Sequence, residues 1–361
     1  MAPRRGGGYG GGGGSSVSCS DSAFSWEGSR VTIAFHALFF LVALVLSIIG
    51  SSKAKRAKQN GRPLVAWPWL YTSIVFAIFV YIISIILLVL SECAISYSDE
   101  IYPGYIVSNW LSEIFFFILN AVILTSFSKK LHTDFGQGPA TLLGVQKGYV
   151  VLLLVLMVTA CSLETAYLVL GNSDDYSDRR KIYDLVEPRK GIWTTYYTLS
   201  VLGILIASGT IVKSVFGGAG FSRPRKLTSW VSALLIGALG FNLTQLGGYV
   251  NVMFKNTASL SSSEIVDLQR SQQAVYFLTS FFYFVAFYAA LEVGAFGAQT
   301  PAANPAYAAP GVAQSHNPGY PQHQQQGFNS GYHSGFSSNP GPQYPGQETG
   351  YQNNNVEYRM R

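Results

Sequence analysis

Apolar positions in this chain gather into seven long runs, approximately 31–50, 64–90, 105–127, 148–170, 193–216, 228–253 and 273–297, divided by polar clusters. A run of about 20 apolar residues is the length at which an α-helix crosses the hydrocarbon layer of a bilayer. Lipid offers no partner to a free N–H or C=O, so a spanning segment must satisfy its backbone internally. The pattern therefore predicts an all-α membrane protein, a seven transmembrane helix bundle over residues 31–297. The clusters SSKAKRAKQNGRP, SECAISYSDEIYPG and FGGAGFSRPRK read as the turns that end spans.

The flanking segments have a different character. Residues 1–30 are Gly-rich and polar and lack the apolar core of a cleavable signal, so the first span is expected to act as its own insertion signal. Residues 298–361 are dominated by Pro, Gly, Gln, Asn and Tyr and carry too little apolar surface to fold. Both read as disordered tails. Composition agrees: of 361 residues, 49% are hydrophobic and 12% charged, against about 25% charged in soluble domains.

The distribution of charge orients the bundle. Lys53, Lys55, Arg56, Lys58 and Arg62 follow the first run without an acid, whereas Glu92, Asp99 and Glu100 follow the second without a base. Lys129, Lys130 and Lys147 against Asp134, and later Arg223, Arg225 and Lys226, repeat the first pattern. Basic loops stay cytoplasmic, so the N-terminus is expected outside or lumenal and the C-terminus in the cytoplasm, in the plasma membrane or another secretory-pathway membrane. The segment 171–191 has five basic and five acidic residues and does not vote. Topology accounts for the formal charge of +6, and no nucleic-acid partner is implied. Cys19 and Cys93 fall on one side, where an oxidising compartment would permit a bridge; Cys161 lies within the fourth run.

Polar residues inside the runs are the candidates for chemistry. Asn109, Glu113 and Asn120, at steps of four and eleven from the first, share one helical face, and Asn242, Gln245 and Tyr249 repeat the device in the sixth run. With Glu164 they make the candidate ligand-binding set, and Glu113, Glu164, Gln245 and His36 all fall in the outer half. Such residues face protein or water rather than lipid. They serve either a polar pocket for a ligand, proton or ion, or interhelical hydrogen bonds worth about 0.6–2 kcal/mol each. The glycines of GALG and LGG, and Gly203 with Ala207, read as helix contact surfaces. Lys213 is expected to snorkel, and Glu292 to pair with a basic residue at the cytoplasmic end.

Several seven-span chemistries are excluded. The last run has no lysine for a retinal Schiff base, and only His36 of the five histidines lies in a run, too few for a zinc site. The chain resembles the best-known receptor class in topology alone, because the places of its Asp-Arg-Tyr and Asn-Pro-x-x-Tyr signatures read LTSFSKKLH and FYFVAFYAALEVG. The interiors of runs three to seven lack proline, so no hinge kinks are encoded. Neither a phosphate-binding loop nor a nucleophile elbow is present. No catalytic residue, metal or cofactor is assigned, and the chain is not read as an enzyme.

In the last segment, Asn304, Pro305 and Tyr307, and again Asn317, Pro318 and Tyr320, spell Asn-Pro-x-Tyr. The tetrapeptide resembles sorting and phosphotyrosine-domain motifs that cytoplasmic adaptor proteins bind, although repetition in a Pro- and Tyr-rich segment also generates it. Spaced aromatics there suit weak, multivalent contacts. The expected function is a receptor-like sensor for a small-molecule ligand. The alternatives are a transporter or channel for a small solute or lipid, and a membrane organiser acting through its tail. A carrier needs polar residues that continue to the inner face, whereas the third run loses its stripe after Asn120, with Thr125 the one later candidate.

Overall fold

A computed structural model describes Cys19 and residues 23–61, 63–93, 98–134, 140–172, 176–216, 225–254 and 261–296. Its helices are α1 (Glu27–Gln59), α2 (Trp67–Glu92), α3 (Ser98–Val122), a π-helical turn (Ile123–Phe127), α4 (Ser128–Asp134), α5 (Ala140–Gly171), α6 (Tyr176–Phe216), α7 (Arg225–Met253) and α8 (Ser262–Phe296). Because α3, the π turn and α4 continue one another, the described residues form seven spans. Each span packs on its neighbours in sequence and α8 returns to α1, which closes the ring. Leu41, Val45, Ile48, Ile206 and Ile236 stay exposed around it. In water such a surface would aggregate, whereas hydrocarbon solvates it, and this is a multi-pass membrane protein in contact with the bilayer.

The helices overrun the apolar runs. Where the sequence reads a turn after residue 50, α1 carries Lys53, Lys55, Arg56 and Lys58 as helix. Cations suit the last turn of a helix because they oppose its dipole, and the chain breaks only at Gly61, whose φ of +72° glycine adopts without strain. At the start of α8 the Ser261 hydroxyl accepts the Glu264 N–H at 3.4 Å while Glu264 Oε2 accepts the Ser261 N–H at 2.7 Å. This reciprocal cap starts the helix well before residue 273. The early parts of α3 and α6 likewise include Pro103 and Pro188, which precede the proline-free runs at 105–127 and 193–216. A proline forfeits one backbone hydrogen bond, which costs least where water can replace it near a membrane surface.

Charges mark the two ends. At one, Cys19 and Cys93 form a disulfide across 74 residues of sequence. Beside it Glu92 accepts the Phe24 N–H at 3.1 Å and the Ser29 hydroxyl, so adjacent residues hold the segment entering α1. At the other, basic end, Glu292 of α8 pairs with Lys53 of α1, as its position led us to expect, and the Lys53 ammonium lies 5.5 Å from the Tyr288 ring centre. Lys130 donates to the Val293 and Gly294 carbonyls, both at 3.1 Å, which ties the third span to the last turn of the seventh.

The glycine contacts are selective. A β-carbon on Gly237 would lie 2.7 Å from the Ala286 backbone nitrogen, so α7 and α8 touch nearly backbone to backbone there. Gly240 faces Phe282, Gly248 faces Val275 and Gly203 faces Tyr149, while Gly247 borders open space. All the described helices belong to one compact unit. The Asn-Pro-x-Tyr motifs at Asn304 and Asn317 lie outside the described residues.

Candidate functional site

Two groups of polar residues stand toward the disulfide end, and both are organised by α6. Arg189, Trp193, Tyr196 and Tyr197 recur at spacings of four, three and one, so one face of this helix carries a guanidinium followed by three rings. The Arg189 Nε donates to Glu164 Oε2 of α5 at 2.5 Å, and Trp193 Nε1 donates to the same oxygen at 3.3 Å. The guanidinium also lies 4.1 Å from the centre of the Tyr167 ring, one turn beyond Glu164. With side chains 11% and 18% exposed, this is a largely dehydrated ion pair with an aromatic face as its third partner.

One to two turns deeper, Glu113 of α3 is 6% exposed. Its Oε1 accepts the Tyr197 hydroxyl at 2.9 Å, while its Oε2 has no hydrogen-bond partner among the described residues. Tyr197 is therefore the hinge of the site. One end of it holds the carboxyl, and its ring packs between Trp193 at 5.3 Å and Tyr249 of α7 at 5.5 Å. The Tyr249 hydroxyl is buried and also without a partner among the described residues. Buried polar atoms are nearly always paired, so two unpaired oxygens on either side of one tyrosine mark a place where a donor or acceptor is missing.

A cavity of about 330 Å³ opens beside them. Tyr197, Gln245, Tyr249, Asn251, Gln272, Tyr276 and Thr279 supply its polar side chains, and the rest of its wall is glycine, valine and methionine. Behind Tyr276 the His36 ring stacks at 4.8 Å, and the His36 Nδ1 is 2.8 Å from the Thr32 carbonyl. Thus α6, α7 and α8 form the cavity, α3 places a carboxyl behind it and α1 backs it. Its volume lies at the small end of the range of about 300–1,000 Å³ found for ligand sites.

Of the residues singled out from the sequence, Gln245 and Tyr249 line the cavity. Glu113 stands behind it through Tyr197, and Glu164 is engaged by Arg189. Asn109 is half-buried outside the wall. Asn120 and Asn242 donate to each other, each at 3.0 Å, and Asn242 Nδ2 is also 2.8 Å from the Ala238 carbonyl. That amide pair is glue between α3 and α7, on the structural side of the two alternatives. Sequence reasoning missed Arg189, Trp193 and Tyr197. The signal was their shared helical face, hidden because the fifth span was taken to begin at Trp193, after Pro188.

Toward the basic end the described interior becomes mainly aromatic and aliphatic, apart from the Asn120–Asn242 pair and scattered hydroxyls. Below Glu113, Phe116 stacks on Phe241 at 5.8 Å and meets the Tyr283 ring edge-on at 5.5 Å. The Tyr283 hydroxyl reaches Ser73 Oγ at 2.7 Å, and that hydroxyl donates in turn to the Phe115 carbonyl at 2.9 Å, so the chain of bonds ends on backbone. Leu119, Ile123, Phe127 and Ile204 then fill the middle of the bundle with no exposed surface.

No protein-family model matches this chain, and comparison with curated proteins and with solved structures returned no match.

Proposed function

We propose that this protein is a receptor-like sensor that binds a small molecule at the disulfide end and has no transport path through its core. One observation carries the reading: a cavity at the disulfide end is lined by Tyr197 and Tyr249, with Glu113 buried and half-satisfied behind Tyr197. A ligand seated there reaches the Tyr249 hydroxyl and the Gln245 amide directly, and senses Glu113 through the Tyr197 hydroxyl. Displacing Tyr197 would shift both its bond to α3 and its ring contact with α7. A carrier would need a continuous path past Phe116 and Phe241, whereas Leu119, Ile123, Phe127 and Ile204 fill the middle and the Asn120 and Asn242 amides there are spent on each other, which favours binding over passage.

The orientation that this reading requires has two supports. A disulfide suits an oxidising compartment, which supports an extracytosolic side for Cys19 and Cys93. Lys53, Lys55, Arg56, Lys58, Lys129, Lys130, Lys213 and Lys226 crowd the opposite end. On this reading the cavity faces outward, and a cytoplasmic C-terminal segment would be available to adaptor proteins. An epitope before residue 31 should react with antibody on intact cells, and one after residue 297 only after permeabilisation; both ends on one side would end the receptor comparison.

The pocket itself is tested by ligand-induced thermal stabilisation of the purified protein across a panel of small alcohols, amides and aromatic amines. A compound that stabilises the wild type should lose about tenfold in affinity with Tyr249→Phe and with Glu113→Gln, roughly the worth of one buried polar contact. Both variants keep side-chain shape and should melt near the wild type when no compound is present. Equal affinity in all three proteins would place the compound elsewhere and return Glu113 to a purely structural role.

A further inference from the structure

We propose that a groove on the lipid-facing side of α3 and α5, near the basic end, is a binding site for a 3β-hydroxysterol. The groove encloses about 300 Å³. Phe117 and Ala121 form its floor, Val151 and Leu154 its far wall, and Trp69 of α2 closes its lower edge. Its mouth is turned to lipid: Trp69 is 61% and Val151 60% exposed. In hydrocarbon such a hollow is filled by lipid, so the question is which lipid fits.

Polar atoms are confined to one end of it, at Thr125 and Ser126 of the π turn. The Thr125 hydroxyl gives its proton to the Ala121 carbonyl at 2.6 Å, which leaves its lone pairs free to accept. Seven residues separate Ser126 from the end of its span at Thr133, about 10 Å at 1.5 Å per residue. A 33-residue span is about 50 Å long, so a 30 Å hydrocarbon layer leaves about 10 Å of helix beyond it at each end. The two hydroxyls therefore sit at the hydrocarbon boundary, where Trp69 also belongs as an interfacial aromatic. From there to Phe117 the floor rises eight residues, about 12 Å, without another polar group.

A sterol has this distribution: one hydroxyl at the boundary, then a rigid apolar ring system running inward. Among the described residues no charged one lines the groove, as the phosphate of a phospholipid headgroup would require. A flexible acyl chain would lose rotational freedom on being held there, whereas a fused ring system has little to lose. The small side chain of Ala121 leaves the floor shallow enough for a flat ring face, and the β-branched Val151 gives the far wall a stiff edge.

The test uses the full-length protein in phosphatidylcholine nanodiscs and a cholesterol analogue that carries a photoreactive diazirine on its ring system. Labelling should saturate, map to residues 117–126 and 150–154, and be competed by cholesterol but not by its 3α epimer. Ser126→Ala should weaken competition by about fivefold, the loss of one neutral hydrogen bond, and Ala121→Phe should abolish labelling by filling the floor. If Ala121→Phe fails to fold, the Ser126 variant and the epimer still decide. Equal competition by the two epimers would overturn the site. So would labels spread evenly over the lipid-facing residues of α1 and α6, or a photoreactive phospholipid that marks the same segment as strongly.

Discussion

Arg189→Met should lower the stability of the bundle by about 3 kcal/mol, because it strips the partner from a carboxylate that remains buried. Glu164 is 18% exposed along its side chain and takes both the guanidinium and the Trp193 indole on one oxygen. Removing the cation leaves one neutral donor and an uncompensated charge, and the Tyr167 ring loses its stacking partner. The double variant Arg189→Met, Glu164→Met should recover most of the loss, since two apolar chains of similar length fill the space with no charge to bury. Reversible unfolding in mixed detergent micelles measures both. A single-variant loss below about 1 kcal/mol would mean that water reaches the pair and that it behaves as a surface salt bridge.

Gly237→Ala should destabilise the protein by about 1–3 kcal/mol even though alanine is the better helix former by about 1 kcal/mol. The new methyl would sit 2.7 Å from the Ala286 nitrogen and 3.0 Å from its Cα. Those atoms are backbone and cannot swing aside, so α7 and α8 must separate along their whole contact. Gly247→Ala, ten residues further on the same helix, meets nothing within 4 Å and serves as the control. It should be neutral or slightly stabilising. Similar melting temperatures for the two variants would show that the α7–α8 contact yields easily at Gly237.

These two variants also separate what could be read in advance from what could not. Glycines in GALG and LGG were legible as contact residues, yet Gly237 meets backbone and Gly247 open space. The difference depends on the rotation of α7 against α8, and spacing along one helix does not contain it. Glu113 was legible as a costly carboxylate, but spacing along its own helix does not name its partner, which is Tyr197 of α6. The polar groups singled out from the sequence divide into an ion pair, an amide pair and a cavity with a carboxyl behind it.

Seven spans follow from the sequence alone because the solvent enforces them locally: about 20 apolar residues satisfy a bilayer whatever their neighbours do. The basic clusters and the placement of Cys19 and Cys93 on one side belong to the same category, since each depends only on which runs lie between them. Helix ends were harder, because caps and dipoles carry α1 through its lysines and start α8 at Ser262 where hydropathy shows nothing. Partners were decided only by tertiary structure. Hydrophobicity does not distinguish one lipid-soluble face from another, so helix rotations are set by close packing and by the few polar atoms that must find each other. That packing joins Arg189 to Glu164, Asn120 to Asn242 and Tyr197 to Glu113, and it leaves the Tyr249 hydroxyl and one oxygen of Glu113 without a partner.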